Sequence, residues 1–140
     1  MSVKLTILDD KALTNALRKY GAKSEKAISE AVRVTAVEVQ ADSVKSIQRG
    51  SKTGRTYKRG NITHRASAPG EAPATDSEIL VGSIDTVKLT RLSYKTGTLL
   101  DYGRWLEYGT QKIAERPWLR PAVQRNKEEF FRRLRIAISS

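Results

Sequence analysis

The chain has 140 residues, with 26 Lys and Arg against 15 Asp and Glu, a formal charge of +11 and no cysteine. Such a length suits one domain that folds without staples, and the missing cysteine excludes a disulfide framework, a thiolate zinc site and a cysteine nucleophile. The positive balance points to a polyanionic partner, nucleic acid first and an acidic protein surface second, while no apolar run approaches the ~20 residues needed to span a bilayer, so no membrane partner is expected.

At the amino terminus Val3, Leu5 and Ile7 alternate with Lys4 and Thr6, the period of a short half-buried strand. The same stretch lacks the h-region of a signal peptide, so an unexported protein is expected. Asp9 or Asp10 then caps a helix over Lys11–Tyr20, with Leu13, Ala16, Leu17 and Tyr20 at helical spacing and Gly21 as its stop. Ser24 offers a second N-cap. From Glu25 to about Gln48, a broad stripe at helical spacing comprises Ala27, Ile28, Ala31, Val32, Thr35, Ala36, Val39, Ser43, Val44 and Ile47. That predicts a helix ~36 Å long, the scaffold of the domain.

Residues 49–76 break every pattern and exceed the ~15 residues of an ordinary structureless loop. Within them Thr56–Arg59 and Ile62–Arg65 flank Gly60-Asn61, a pair suited to a tight hairpin turn. Seven basic residues, Lys45, Arg49, Lys52, Arg55, Lys58, Arg59 and Arg65, lie between Ser43 and Gly70 with no acidic one. The expectation is a mobile basic arm over 50–74, lacking apolar anchors. Thr75 or Asp76 then caps a short helix through Ile84, with Ile79, Leu80 and Ile84 turned inward. Two strands follow, 87–91 and 94–100, with Gly97 as a bulge or bend. Tyr102–Tyr108 is read as a short helix ended by Gly109, and a last helix runs from Pro117 to about Ile138. On that helix Leu119, Val123, Phe130, Leu134 and Ile138 face the core, and Arg125, Lys127, Arg132, Arg133 and Arg135 face solvent or a partner. The fold class is α+β: one domain over 1–140, with a small, mainly antiparallel sheet packed against two long helices and a long basic hairpin arm.

Convergent reactive groups are few. His64, the only histidine, lies in the arm without a catalytic or metal-ligand partner and reads as a solvated loop residue. Asp9-Asp10 and Glu128-Glu129 are explained by capping and exposed helix faces. Gly50-x-x-x-Gly54 and Gly54 to Gly60 have no Gly-Lys-(Ser/Thr) ending and no preceding buried strand, so no phosphate-binding loop is expected. The reading is of a non-enzymatic protein without cofactor or metal. Interleaving of Tyr57 with Arg55, Lys58 and Arg59, together with an arginine-rich last helix, suits sequence-independent contact with nucleic acid. No recognition helix for base edges is evident.

The most specific stretch is Trp105-Leu106-Glu107-Tyr108-Gly109-Thr110, followed by Ala114-Glu115-Arg116-Pro117-Trp118-Leu119-Arg120-Pro121-Ala122. Together with Tyr102 ahead of it, this pair of segments resembles the signature of the head–tail joining family of long-tailed bacteriophages, small neck or tail-completion proteins. Upstream, Gly54–Gly60 leads through Thr63–Asp76 into Leu80-Val81-x-Ser83-Ile84, a run similar to that family's arm segment, with Glu78 standing where the family usually has a small residue. The resemblance implies a virion component assembled in the host cytoplasm, forming a homo-oligomeric ring, a hexamer or a multiple of one, at the head–tail junction. Its implied partners are neighbouring connector or tail proteins and, without sequence reading, packaged DNA. Trp105, Glu107, Tyr108, Arg116, Trp118 and Arg120 become candidates for the subunit interface. Trp105, Tyr108, Trp118 and Leu119 also read as plain core. Arg55, Tyr57, Lys58, Arg59 and Arg65 become the arm's contacts to a partner or DNA. The competing reading is a sequence-independent DNA-binding protein.

Overall fold

A computed structural model describes residues 2–6, 10–50, 52–74 and 78–139. In chain order the elements are β1 (Ser2–Thr6), α1 (Asp10–Arg49), β2 (Thr56–Arg59), β3 (Ile62–Arg65), α2 (Ile79–Ser83), β4 (Asp85–Thr90), β5 (Ser93–Gly97), α3 (Asp101–Tyr108) and α4 (Arg120–Ser139). The fold is α+β, with two small antiparallel sheets and α1 packed on α4.

α1 is one unbroken helix of 40 residues, about 60 Å long. The two helices expected on either side of Gly21 are therefore continuous, and Ser24 is buried inside the helix and does not start one. A glycine costs about 1 kcal/mol in a helix interior, whereas a break would create two new ends, each with four unsatisfied backbone groups. The predicted stripe is the buried one: Ile28, Ala31, Val32, Thr35, Ala36, Val39, Ser43 and Ile47. Its two hydroxyls do not disturb the core, because Thr35 and Ser43 donate to the carbonyls of Ala31 and Val39, each at 2.8 Å.

The three-stranded sheet has the order β1-β5-β4, both pairs antiparallel. β5 is central. Gly97 is an ordinary paired residue, opposite Ser2 and Asp85, and the irregularity lies instead between Lys88 and Thr90. One face of the sheet lies on α1, where the Thr96 hydroxyl donates to the Ala36 carbonyl at 3.2 Å and Tyr94 packs with Val32 and Ala36. α4 joins the same cluster through Phe130.

α4 runs antiparallel to α1, since Arg125 pairs with Asp42 while Ala137 packs on Ile28. Two arginines expected to face solvent or a partner are fastened to this neighbour. Arg133 makes a bidentate pair with Glu38, both bonds at 2.7 Å, and Arg125 binds Asp42 at 2.8 Å.

The main core lies where α1, α2, α3 and the start of α4 converge, and comprises Val39, Ile47, Leu80, Ile84, Leu106, Trp118, Leu119 and Ala122. Ile79 is exposed, contrary to expectation, because a helix of five residues turns only Leu80 fully inward. The proposed caps Thr75 and Asp76 lie outside the described residues. No helix among the described residues is long and apolar enough to cross a membrane.

Candidate functional site

Two segments identified in the sequence, 102–110 and 114–122, meet in one knot of hydrogen bonds centred on Glu107. α3 ends at Gly109, whose φ of 74° is the left-handed conformation that favours glycine and whose N–H donates to the Trp105 carbonyl at 2.8 Å. The loop then returns so that the Arg116 N–H donates to the Leu106 carbonyl at 2.6 Å. This return lays the start of α4 against the carboxylate of Glu107.

Glu107 Oε2 accepts the N–H groups of Trp118 and Leu119 at 2.8 and 2.9 Å, and Oε1 accepts the N–H and Nε of Arg120 at 2.8 and 2.9 Å. A helix start leaves its first N–H groups unsatisfied. Here those of Leu119 and Arg120 go to Glu107, and Pro121 in the first turn has none to satisfy. The helix thus begins at Arg120 with Pro121 as its early proline, not at Pro117. A carboxylate at this end also suits the helix dipole. Arg120 completes the knot. It donates to the Glu107 carbonyl at 2.7 Å and to Glu115 at 3.0 Å, and its guanidinium lies 4.8 Å from the centre of the Tyr108 ring. The hydrogen bonds to Glu107 and then to Glu115 hold the guanidinium above its ordinary pKa.

Trp118 is wholly buried, and its indole N–H donates to the Gly103 carbonyl at 2.9 Å. A Cβ on Gly103 would stand 2.4 Å from Thr98 Cγ2 and 3.3 Å from the Trp118 ring, so the indole fits because α3 carries no side chain there. Two interface candidates are thereby corrected: Trp118 and Glu107 are both enclosed by their own chain and present no surface to a neighbour. Trp105 and Tyr108, with Tyr102, are about half exposed, three aromatic rings on the outside of α3.

The knot also holds the arm. Arg116 donates through Nε to the Ser67 hydroxyl at 2.9 Å, and the Gly70 N–H donates to the Glu115 carbonyl at 2.9 Å. At the arm's base Glu71 accepts from the Thr53 hydroxyl, the Thr53 N–H and the Ala68 N–H. Led by the Thr53 hydroxyl, these bonds hold its carboxyl down at a pKa of about 2. Lys52 donates to the carbonyls of Ser46 and Ala72, and its burial pushes the ammonium pKa down. The expectation of a wholly unanchored arm over 50–74 therefore narrows to the hairpin itself. The roles of Ser67, Glu71, Lys52 and Gly103 were missed in the sequence, because each depends on a partner well separated along the chain, Arg116, Thr53, Ala72 and Trp118 respectively.

β2 and β3 form the expected hairpin around Gly60-Asn61, pairing Thr56 with Arg65, Tyr57 with His64, Lys58 with Thr63 and Arg59 with Ile62. Side chains alternate between the faces. His64 is not simply solvated: it stacks on Tyr57, ring centres 5.5 Å apart, and both are half-buried. Thr56, Lys58, Thr63 and Arg65 occupy the opposite face and are exposed. Comparison of the chain with protein-family models, curated proteins and solved structures finds no match.

Proposed function

We propose that this chain is a non-enzymatic structural subunit of a tailed-phage virion, a ring-forming neck or tail-completion protein acting at the head–tail junction. The observation that carries the reading is the union of the two signature segments: Glu107 of one caps the helix that starts in the other, and Arg116 ties the arm to the same knot. Residues that suggest a joint in the sequence are thus joined physically within one subunit. Glu107, Arg116 and Trp118 act through the fold, fixing where α3 and the arm stand. The groups left outward, Tyr102, Trp105 and Tyr108, are of the type enriched at interface centres and supply the contact between copies. Ring closure needs heterologous contacts, with α3 of one subunit meeting a different surface of the next. The hairpin then reaches the adjoining ring or the DNA in the lumen.

Negative-stain electron microscopy of the purified protein, combined with joining of separately prepared DNA-filled heads and tails, tests the reading. Closed rings and restored joining are expected. A protein that stays dispersed and never promotes joining would refute it. The second reading, a sequence-independent DNA-binding protein, is favoured by the four-residue face of the hairpin, whose side chains are all donors of the kind found at phosphates.

A further inference from the structure

Among the described residues some cations are ion-paired within the chain and a second set is not. Six arginines are matched by carboxylates of the same chain, Arg33 with Glu30, Arg91 with Glu25, Arg120 with Glu107 and Glu115, Arg125 with Asp42, Arg132 with Glu129, and Arg133 with Glu38, whereas Arg104 of α3 and Lys127 and Arg135 of α4 form no ion pair with a described residue. Lys45, Arg49, Arg55, Lys58 and Arg65 form no ion pair with a described residue. Glu71, the acidic group at the arm's base, is occupied by the Thr53 and Ala68 N–H groups.

Lys45, Arg49 and Arg65 of the second set line two grooves that share Gln48. Lys45 and Arg49 lie one turn apart at the end of α1, in a groove that also includes Gln48. Gln48 lines a second groove with Lys52, Tyr57, His64 and Arg65, so the hairpin's root stands beside those turns. On the hairpin, register puts Thr56, Lys58, Thr63 and Arg65 on one exposed face, two cations and two hydroxyls. Lys58 and Arg65 are diagonal neighbours there, roughly 7 Å apart.

We propose that this surface, the outer hairpin face with Lys45 and Arg49 of α1, binds duplex DNA through its phosphates, and that the arginines of α4 take no part. The proposal deepens the reading of the arm given above, naming its partner and its footprint. A protein partner would need apolar or aromatic anchors at the contact centre, and the outer hairpin face has none, the apolar Val37, Ala41 and Val44 lying only in the α1 groove beside Lys45 and Arg49. A single strand would call for free aromatic platforms, but Tyr57 and His64 stack on each other on the opposite face. Ammonium, guanidinium and hydroxyl donors without a base-reading helix suit the duplex backbone.

Binding of two unrelated short duplexes, measured across a salt series by fluorescence anisotropy, tests this on the full chain. Each phosphate contact contributes about 0.9 to the slope of log affinity against log salt. The Lys58→Ser/Arg65→Ser variant should reduce the slope by about two, and Lys45→Ser/Arg49→Ser by about two. A charge-matched control, Lys127→Ser/Arg135→Ser on α4, should leave it nearly unchanged. Equal loss in the control would overturn the footprint, strong discrimination between the duplexes would overturn phosphate binding, and capture of polyglutamate but not duplex would transfer the surface to an acidic protein. Solution mass of the same samples separates the two proposals: a monomer that binds through this surface keeps the inference and sinks the ring, whereas a multimer that ignores duplex does the reverse.

Discussion

The carboxylate of Glu107 accepts from three backbone N–H groups in or beside the core, so its removal strands buried donors at about 1–3 kcal/mol each, partly offset by relaxation. Glu107→Ala should therefore destabilise the fold by about 3–5 kcal/mol. Glu107→Gln, which turns an amide toward N–H groups, should recover less than half of that loss. Paired thermal melts check both, and a Gln variant as stable as wild type would remove the carboxylate from its capping role. Gly103→Ala is the matching steric probe. Its methyl meets Thr98 at 2.4 Å, and overpacking of this kind costs about 1–3 kcal/mol. Much at this scale was legible: Gly109 as a left-handed stop follows from one residue and its neighbours. That Glu107 would cap a helix starting thirteen residues on, or that Gly103 would make room for Trp118, was not legible, because both depend on how the chain returns on itself.

Among the elements, the arm divides into an anchored base and a hairpin with an exposed outer face, and two measurements read the halves separately. Limited trypsin digestion should cut first at Arg55, Lys58, Arg59 or Arg65, ahead of any site in α1 between 25 and 48, since local opening is cheapest where few apolar contacts hold. The base should respond to pH. Its Glu71 carboxyl has a pKa near 2 against an ordinary 4.5, a depressed value, so its contribution is present above about pH 4.5 and is lost as pH falls through about 2. A carboxyl-carbon NMR titration of Glu71 should show that low midpoint, and a midpoint near 4.5 would contradict the three-donor cradle. The stripe on α1, the hairpin register and the antiparallel sheet were readable from periodicity and turn chemistry. Continuity of α1 through Gly21 was not, because a local stop signal of about 1 kcal/mol is weighed against two new helix ends that no short window contains. Arg133 was misread for a related reason, since Glu38 on α1 faces it only once α4 lies antiparallel, and the same arrangement gives the exposed Arg125 its partner Asp42.

At the scale of the whole molecule, a net charge of +11 sets self-association against binding to a polyanion. Copies repel over a Debye length of about 10 Å at 0.1 M salt. Association through the aromatic face of α3 should strengthen as salt rises, while duplex binding weakens. Trp105→Ala, at a half-exposed position, should leave the monomer's melt within about 0.5 kcal/mol of wild type and weaken association by about 2 kcal/mol or more. Sedimentation of both proteins reads the difference. Burial of Trp118 makes it the contrasting control, since Trp118→Ala should lower the melt itself by about 3–5 kcal/mol. The central claim, a subunit that closes a ring, is tested most directly by light-scattering mass at several protein concentrations in moderate salt. The account predicts one discrete mass, six times 15.6 kDa or a multiple of that, constant over a range of concentrations. A mass of one subunit at every concentration would contradict it.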